Sequence, residues 1–194
     1  MLFVFDTSTL IAIRQYYLRS SGLFKHFWGW LLGLMRSERI IVPDAAFLEL
    51  QGKKRSDRDN ESESADQQVD KDGSADQQAE KDEFFGILVA EKITPRLPDA
   101  AISRQYDLIE ELLASVKHDL SEEDQEIMAT AKALGATLVT EESPQKNLPK
   151  KGSRKPYKMP GACKLPGIDL KCLNLWEFLK EATEGRRCIP NELL

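Results

Sequence analysis

Two short apolar runs that each stop on an acid constrain this chain more than any other feature. Leu2-Phe3-Val4-Phe5 runs into Asp6, and Thr137-Leu138-Val139-Thr140 runs into Glu141-Glu142. Uninterrupted runs of β-branched and aromatic residues, each beside a helical pattern, read as strands buried on both faces in a parallel sheet. Open α/β sheets hold their ligands at the carboxyl ends of such strands. The two acidic ends are therefore expected to meet at one crevice. Carboxylates brought close together repel and raise each other's pKa unless a cation or a proton lies between them. The cation expected here is Mg²⁺ or Mn²⁺.

The rest of the chain alternates strand and helix. Thr7 to Arg19 reads as a helix leaving the first strand. Gly22 to Arg36 carries Phe24, Phe27, Trp28, Leu31, Leu34 and Met35 at three- and four-residue spacings, an amphipathic helix. Trp28 is expected in its core and Trp30 nearer the surface. Arg39 to Val42 is a short strand, and Pro43 suits the first position of a helix reaching Leu50. Phe84 to Lys92 leans towards helix. Pro98 to Lys117 places Ile102, Tyr106, Ile109, Leu113 and Val116 on one helical face. Ser121 caps a helix that ends at Gly135. A strand at Asp169 to Leu173 and a helix at Asn174 to Glu184 complete the pattern. The fold class is α/β: a three-layer α/β/α sandwich with a mainly parallel central sheet.

At 194 residues the length suits a single α/β domain, assigned to residues 1–186 with a tail at 187–194. Residues 53–83 stand apart as an acidic, low-complexity insertion holding eleven acids and six bases and almost no large apolar residue. Two near-copies, Ser64 to Asp72 and Ser74 to Asp82, lie ten residues apart, too few to build a solenoid. Composition favours a solvated or partly disordered stretch, while Ser-x-x-Gln at each start leaves short capped helices open. The first apolar run is broken by Asp6, and the stretch from Gly22 to Met35 contains Lys25 and His26, so no membrane segment is expected. Cys163, Cys172 and Cys188 are odd in number and make no C-x-x-C pair, which points to a reducing cytoplasm. The formal net charge of −5 hides a basic patch: Lys146, Lys150, Lys151, Arg154, Lys155 and Lys158 fall in a stretch without an acid.

Four acids are candidates for chemistry. Asp6 follows a strand, where an Asp can equally cap the next helix. Glu49 lies in a largely apolar helix, with Lys53 one turn on as an alternative partner. Asp124 follows Ser121-Glu122-Glu123, which resembles a capping box on a helix dipole. It also shares a face with Met128 and Ala131, which should turn it towards the sheet, where a carboxylate needs a counter-charge. Glu142 follows Thr140-Glu141, and alternation turns only one of the two glutamates into the crevice.

Together these segments resemble a PIN domain, the nuclease fold of VapC-type toxins. The start, Asp6-Thr7-Ser8-Thr9-Leu10-Ile11, is similar to that family's Asp-Thr/Ser-Asn/Ser-x-Leu-Ile. The block from Asp124 through Ile127, Ala129, Ala131, Gly135, Ala136, Leu138, Val139 and Thr140 to Glu142 resembles its second motif. The tail, with Lys158-Met-Pro-Gly-Ala-Cys163 and Asn174-Leu-Trp-Glu-Phe-Leu, is similar to a prokaryotic PIN-like subgroup. Two departures stand out. Position 142 is Glu where Asp is commoner, and the acidic insertion lies outside the usual core.

The resemblance implies a Mg²⁺- or Mn²⁺-dependent ribonuclease, with an antitoxin protein as partner and a homodimer as one assembly. In that reading Asp6, Asp124 and Glu142 hold the metal, and Glu49 binds a second ion or orients the attacking water. The Ser8 and Thr140 hydroxyls hold carboxylates or waters in place. The basic loop would track an RNA backbone through salt-dependent phosphate contacts, or serve as an ordinary solvated loop. Tyr157 could stack on a base. A haloacid-dehalogenase-type phosphatase would need Asp at position 8, where Ser8 stands, and no G-x-G-x-x-G marks a dinucleotide site. The alternative from another class is a catalytically weak PIN-like binding or scaffolding module in RNA metabolism.

Overall fold

A computed structural model describes residues 1–20, 22–53, 75–145, 148 and 155–183, with the side chains of 75–82 outside the description. Four parallel strands form one sheet in the order β2-β1-β3-β4: β1 is Phe3–Phe5, β2 Ile40–Ile41, β3 Thr137–Val139 and β4 Cys172–Leu173. Phe3, Val4, Phe5, Leu138 and Val139 are all buried, which is why both central strands are apolar without alternation. The register sets Phe5 opposite Val139, so the next residues, Asp6 and Thr140, leave the sheet side by side.

Helices flank this sheet, giving the expected α/β/α architecture with every strand pair parallel. Among the described residues they are α1 (Thr7–Tyr16), α2 (Lys25–Arg36), α3 (Asp44–Leu50), α4 (Ala75–Ala90), α5 (Ala100–Leu113), α6 (Glu122–Ala133), α7 (Met159–Ala162) and α8 (Leu175–Ala182). Phe178 of α8 packs edge-on against Phe3 and Phe5 at centroid distances of 4.8 and 4.9 Å. Trp30 of α2 lies 6.1 Å from the same ring, so α2 and α8 share a face of the sheet. Trp28 is buried, and its indole N–H donates to the Tyr17 carbonyl at 2.7 Å. On the other side of the chain's path, α6 packs on β1, α3 and α5.

Element ends differ from the sequence pattern for local reasons. Pro43 is extended and precedes α3 rather than opening it; its carbonyl accepts the first helical bond, from Phe47 N. The long helix starts only at Ala100 because Asp99 caps it, accepting from the Ala101 and Ile102 amides. The last strand is shortened to Cys172–Leu173, since Asp169 sits at φ 44° and cannot extend. Helix α4 begins at Ala75, inside the stretch assigned to the acidic insertion. Ala, Gln, Glu and Lys are good helix formers, and Phe84, Ile87 and Leu88 anchor the helix in the core. Residues 54–74 of that insertion, the tail from 187 and Cys188 lie outside the described residues. No helix among the described residues is long and apolar enough to cross a membrane.

Candidate active site

The site begins with the chain reversal after β1. The Asp6 amide donates to the Val139 carbonyl at 3.0 Å, and the Thr9 hydroxyl donates to the same carbonyl at 2.8 Å. These bonds tie the start of α1 to the end of β3. Asp6 itself is buried, and its Oδ2 accepts from both the Ser8 hydroxyl and the Thr140 hydroxyl, the latter at 2.8 Å. Ser8 Oγ and Thr140 Oγ1 lie 3.2 Å apart. In turn the Glu141 amide donates to Ser8 Oγ at 3.0 Å and the Glu142 amide to Thr140 Oγ1 at 3.2 Å. One net of short side chains thus joins the two acidic strand ends. The capping role open to Asp6 is not taken: its side chain makes no cap bond to α1.

The two glutamates after β3 part ways. Glu141 Oε1 accepts from the Leu175 amide at the start of α8, whereas Glu142 Oε2 accepts from the Met159 amide at the start of α7, at 2.9 Å. Glu49 Oε2 accepts from the Thr7 hydroxyl at 2.7 Å. Asp124 does complete a capping box: Ser121 N donates to its Oδ2 at 2.9 Å, and Asp124 N donates to Ser121 Oγ at 3.1 Å. That bond occupies one of its two carboxylate oxygens.

The electrostatics join these acids. Burial pushes the Asp6 carboxyl up to about 6, against the pull of the Ser8 and Thr140 hydroxyls, and repulsion from Glu49 and Asp124 adds to the rise. Burial likewise pushes Asp124 up to about 6, opposed by the Ser121 bonds and reinforced by Glu142 and Glu49. Glu142 is raised above the ordinary carboxylate range, first by burial and then by Asp6, with the Met159 amide and Lys158 acting in the other direction. Residues from positions 6, 49, 124 and 142 therefore share one neighbourhood. Hard carboxylate oxygens that repel one another suit Mg²⁺ or Mn²⁺ as a donor set. As the side chains stand, no three acids, histidines or cysteines among the described residues form a ready-made metal cage.

Of the basic loop, Lys155 and Lys158 are described and exposed, and Lys158 lies near enough to Glu142 to act on its charge. Lys146, Lys150, Lys151 and Arg154 lie outside the described residues. Tyr157 is half-buried against the core, its amide bonded to the Lys117 carbonyl, so its ring is largely committed to packing. Both Thr7 and the Met159 amide escaped the sequence reading. The first had a signal, a hydroxyl beside Asp6. The second is a backbone contact with none. A separate cavity of about 650 Å³ lies along β2 and the chain from Lys92 to Asp99, with Leu2 and Leu134 also lining it, and includes none of the four acids.

A four-stranded parallel sheet in this order, flanked by helices and with acids at its carboxyl end, is a PIN-like fold. One chain of the crystal structure of VapBC2 from Rickettsia felis, bound to a DNA fragment from the promoter of its genes, superposes with a TM-score of 0.52. It is 15% identical, with 90% of this chain and 98% of that chain covered. The protein itself belongs to the family DUF4411, described as a domain of unknown function, which it matches over residues 3–185. No curated protein matches the sequence.

Proposed function

We propose that this protein is a divalent-metal-dependent ribonuclease that hydrolyses RNA phosphodiester bonds, and that it is the toxin of a toxin–antitoxin pair. The observation that carries this reading is the meeting of the two acidic strand ends, where the Ser8 and Thr140 hydroxyls bind Asp6 and accept from the Glu141 and Glu142 amides, with Asp124 close enough to act on Asp6. Three carboxylates held up by burial and by one another are relieved by a cation, and catalytic sites are where such costs are retained.

Asp6, Asp124 and Glu142 would hold Mg²⁺ or Mn²⁺, with Ser8 and Thr140 fixing the Asp6 carboxylate. A divalent ion there supplies positive charge against the phosphate and makes water more acidic. Glu49, steadied by the Thr7 hydroxyl, orients the attacking water or contributes to a second ion. Lys155 and Lys158, with Lys146, Lys150, Lys151 and Arg154, draw the RNA backbone across the crevice. The likeness to a VapBC complex supports an antitoxin partner; a cytoplasmic setting and, as one assembly, a homodimer belong to the proposal as what the PIN resemblance implies.

Cleavage of RNA in the presence of Mn²⁺ by the wild-type chain and its loss in Asp6→Asn are the expected results; equal cleavage by both overturns the assignment. Growth arrest on expression, relieved by Asp124→Asn, tests the toxin role. A second reading, a PIN-like binding or scaffolding module with weak catalysis, draws on the backbone bonds that already engage Asp124 and Glu142. Calorimetric titration separates the two: absence of binding at millimolar Mn²⁺ favours the module.

A further inference from the structure

One tryptophan stands outside the core and beside the acids. Trp176 is 69% exposed, whereas Trp28 is 3% exposed and Trp30 packs partly buried against the core. Helix α8 explains the exposure. Leu175, Phe178 and Leu179 fill its buried face, which leaves Trp176, Glu177 and Lys180 exposed on the outer one. Trp176 and Lys180 are four positions apart and therefore neighbours on that face. Tryptophan is on average among the well-buried residues, and the packing of α8 makes no use of this one.

Hydrogen bonds lead from Asp6 to this helix. The Ser8 hydroxyl donates to Asp6, the Glu141 amide donates to Ser8 Oγ at 3.0 Å, and the Leu175 amide donates to Glu141 Oε1 at 2.5 Å. Beside them the Thr140 amide donates to the Leu173 carbonyl at 2.9 Å. Asp6 leaves β1 and Asn174 leaves β4 with only β3 between them, a separation of roughly 10 Å. Trp176 thus lies in the first turn of a helix that starts at the same end of the sheet as Asp6 and Glu142. The acids nearest it are engaged by backbone: Glu177 accepts from the Asn174 amide at 3.1 Å, and Glu141 from Leu175. The amino end of α8 offsets their charge.

We propose that Trp176 and Lys180 bind the RNA flanking the reacting phosphate, the indole stacking on an unpaired base and the Lys180 ammonium meeting the adjoining phosphate. Single-stranded nucleic acid is held in this way, by an aromatic platform beside a cation, because every base has a face to stack and every nucleotide a charge. The substrate so selected is single-stranded at the cut, since a base inside a duplex has no free face. The inference deepens the ribonuclease reading of the same site and rests on it.

The test uses the full chain carrying Asp6→Asn, which binds without cutting, a fluorescent single-stranded RNA oligonucleotide and Mn²⁺. Adding Trp176→Ala should weaken binding about tenfold, and Trp176→Phe should stay within about threefold of the parent. Lys180→Gln should flatten the dependence of log K on log salt by roughly 0.7. An abasic nucleotide moved along the probe should weaken the parent at one position and leave the Trp176→Ala variant indifferent there. Equal affinity of the parent and Trp176→Ala for the single strand overturns the proposal and leaves the ring to a protein partner. Abasic losses identical in both, or no RNA bound by any variant, overturn it as well. Cleavage by the chain with Asp6 intact is followed separately. RNA cut in Mn²⁺ while Trp176→Ala binds like the parent removes the stacking and spares the nuclease; Trp176-dependent binding without cutting does the reverse.

Discussion

Asp6 and Asp124 both rise from an ordinary 3.8 to about 6 in the fold, and this has a signed consequence. Between those values the folded chain keeps protons that the unfolded chain has released, so the associated stability is full below 3.8 and is lost as pH rises through about 6. Metal-free protein should therefore lose roughly 2 kcal/mol of stability from these two groups between about pH 5 and pH 7.5. Urea unfolding at the two pH values, with chelator present, measures it. Added Mn²⁺ should recover most of the loss at the higher pH and little at the lower. The Thr140 hydroxyl, donating to Asp6 Oδ2 at 2.8 Å, is the neighbouring test. Thr140→Val leaves a buried carboxylate short of a donor and should cost about 1–3 kcal/mol at neutral pH. That cost should shrink at low pH, where Asp6 is protonated. Asp6 and Thr140 were legible in the sequence because each directly follows an apolar run whose strand assignment leaves little choice of direction. The Thr7–Glu49 bond was harder to foresee, since it joins the first residue of α1 to a helix 42 positions away.

The short helix α7 and the turn before it were invisible to periodicity, being a single turn with Pro160 and Gly161 inside it. What fixes them is Gln145. Its Nε2 donates to the Pro156 carbonyl at 3.0 Å, and its Oε1 accepts from the Lys158 amide at 2.9 Å. The amide thereby clamps both sides of the returning chain, immediately before Met159 reaches Glu142. Gly161 makes room for this: a Cβ there would lie 1.9 Å from Gln145 Oε1. Gly161→Ala should destabilise by about 1–3 kcal/mol through overpacking. In a Gln145→Ala background the clash has no partner, so the second substitution should cost far less than it does alone. Thermal unfolding of the two single variants and the double variant gives the coupling directly. Asp169 at φ 44° belongs to the same class of feature. The apolar pattern around it predicted a longer strand, and only the backbone geometry explains why β4 is two residues long.

At the scale of the whole molecule, the acidic crevice has basic groups beside it, of which Lys158 is near enough to Glu142 to act on its charge. If Lys155 and Lys158 contact phosphate, Lys155→Gln and Lys158→Gln should weaken binding of single-stranded RNA evenly across sequences. Each should flatten the dependence of log K on log salt by roughly 0.7. Fluorescence titration at several salt concentrations reads this, and an unchanged slope would remove these lysines from the interface. The parallel architecture was readable because both central strands are apolar throughout. The start of α4 was legible only as an option, the Ser-x-x-Gln of the second repeat copy, because a helix whose first turns are polar shows no apolar period and is recruited by the apolar residues beyond them. The sheet's margins carry a last consequence. Its outer strands, β2 and β4, are two residues long, and beyond β2 the Arg96 amide already donates to the Val42 carbonyl. So short a margin offers a stray strand almost nothing to zip onto. A second protein therefore gains little from pairing its backbone with either margin of this sheet.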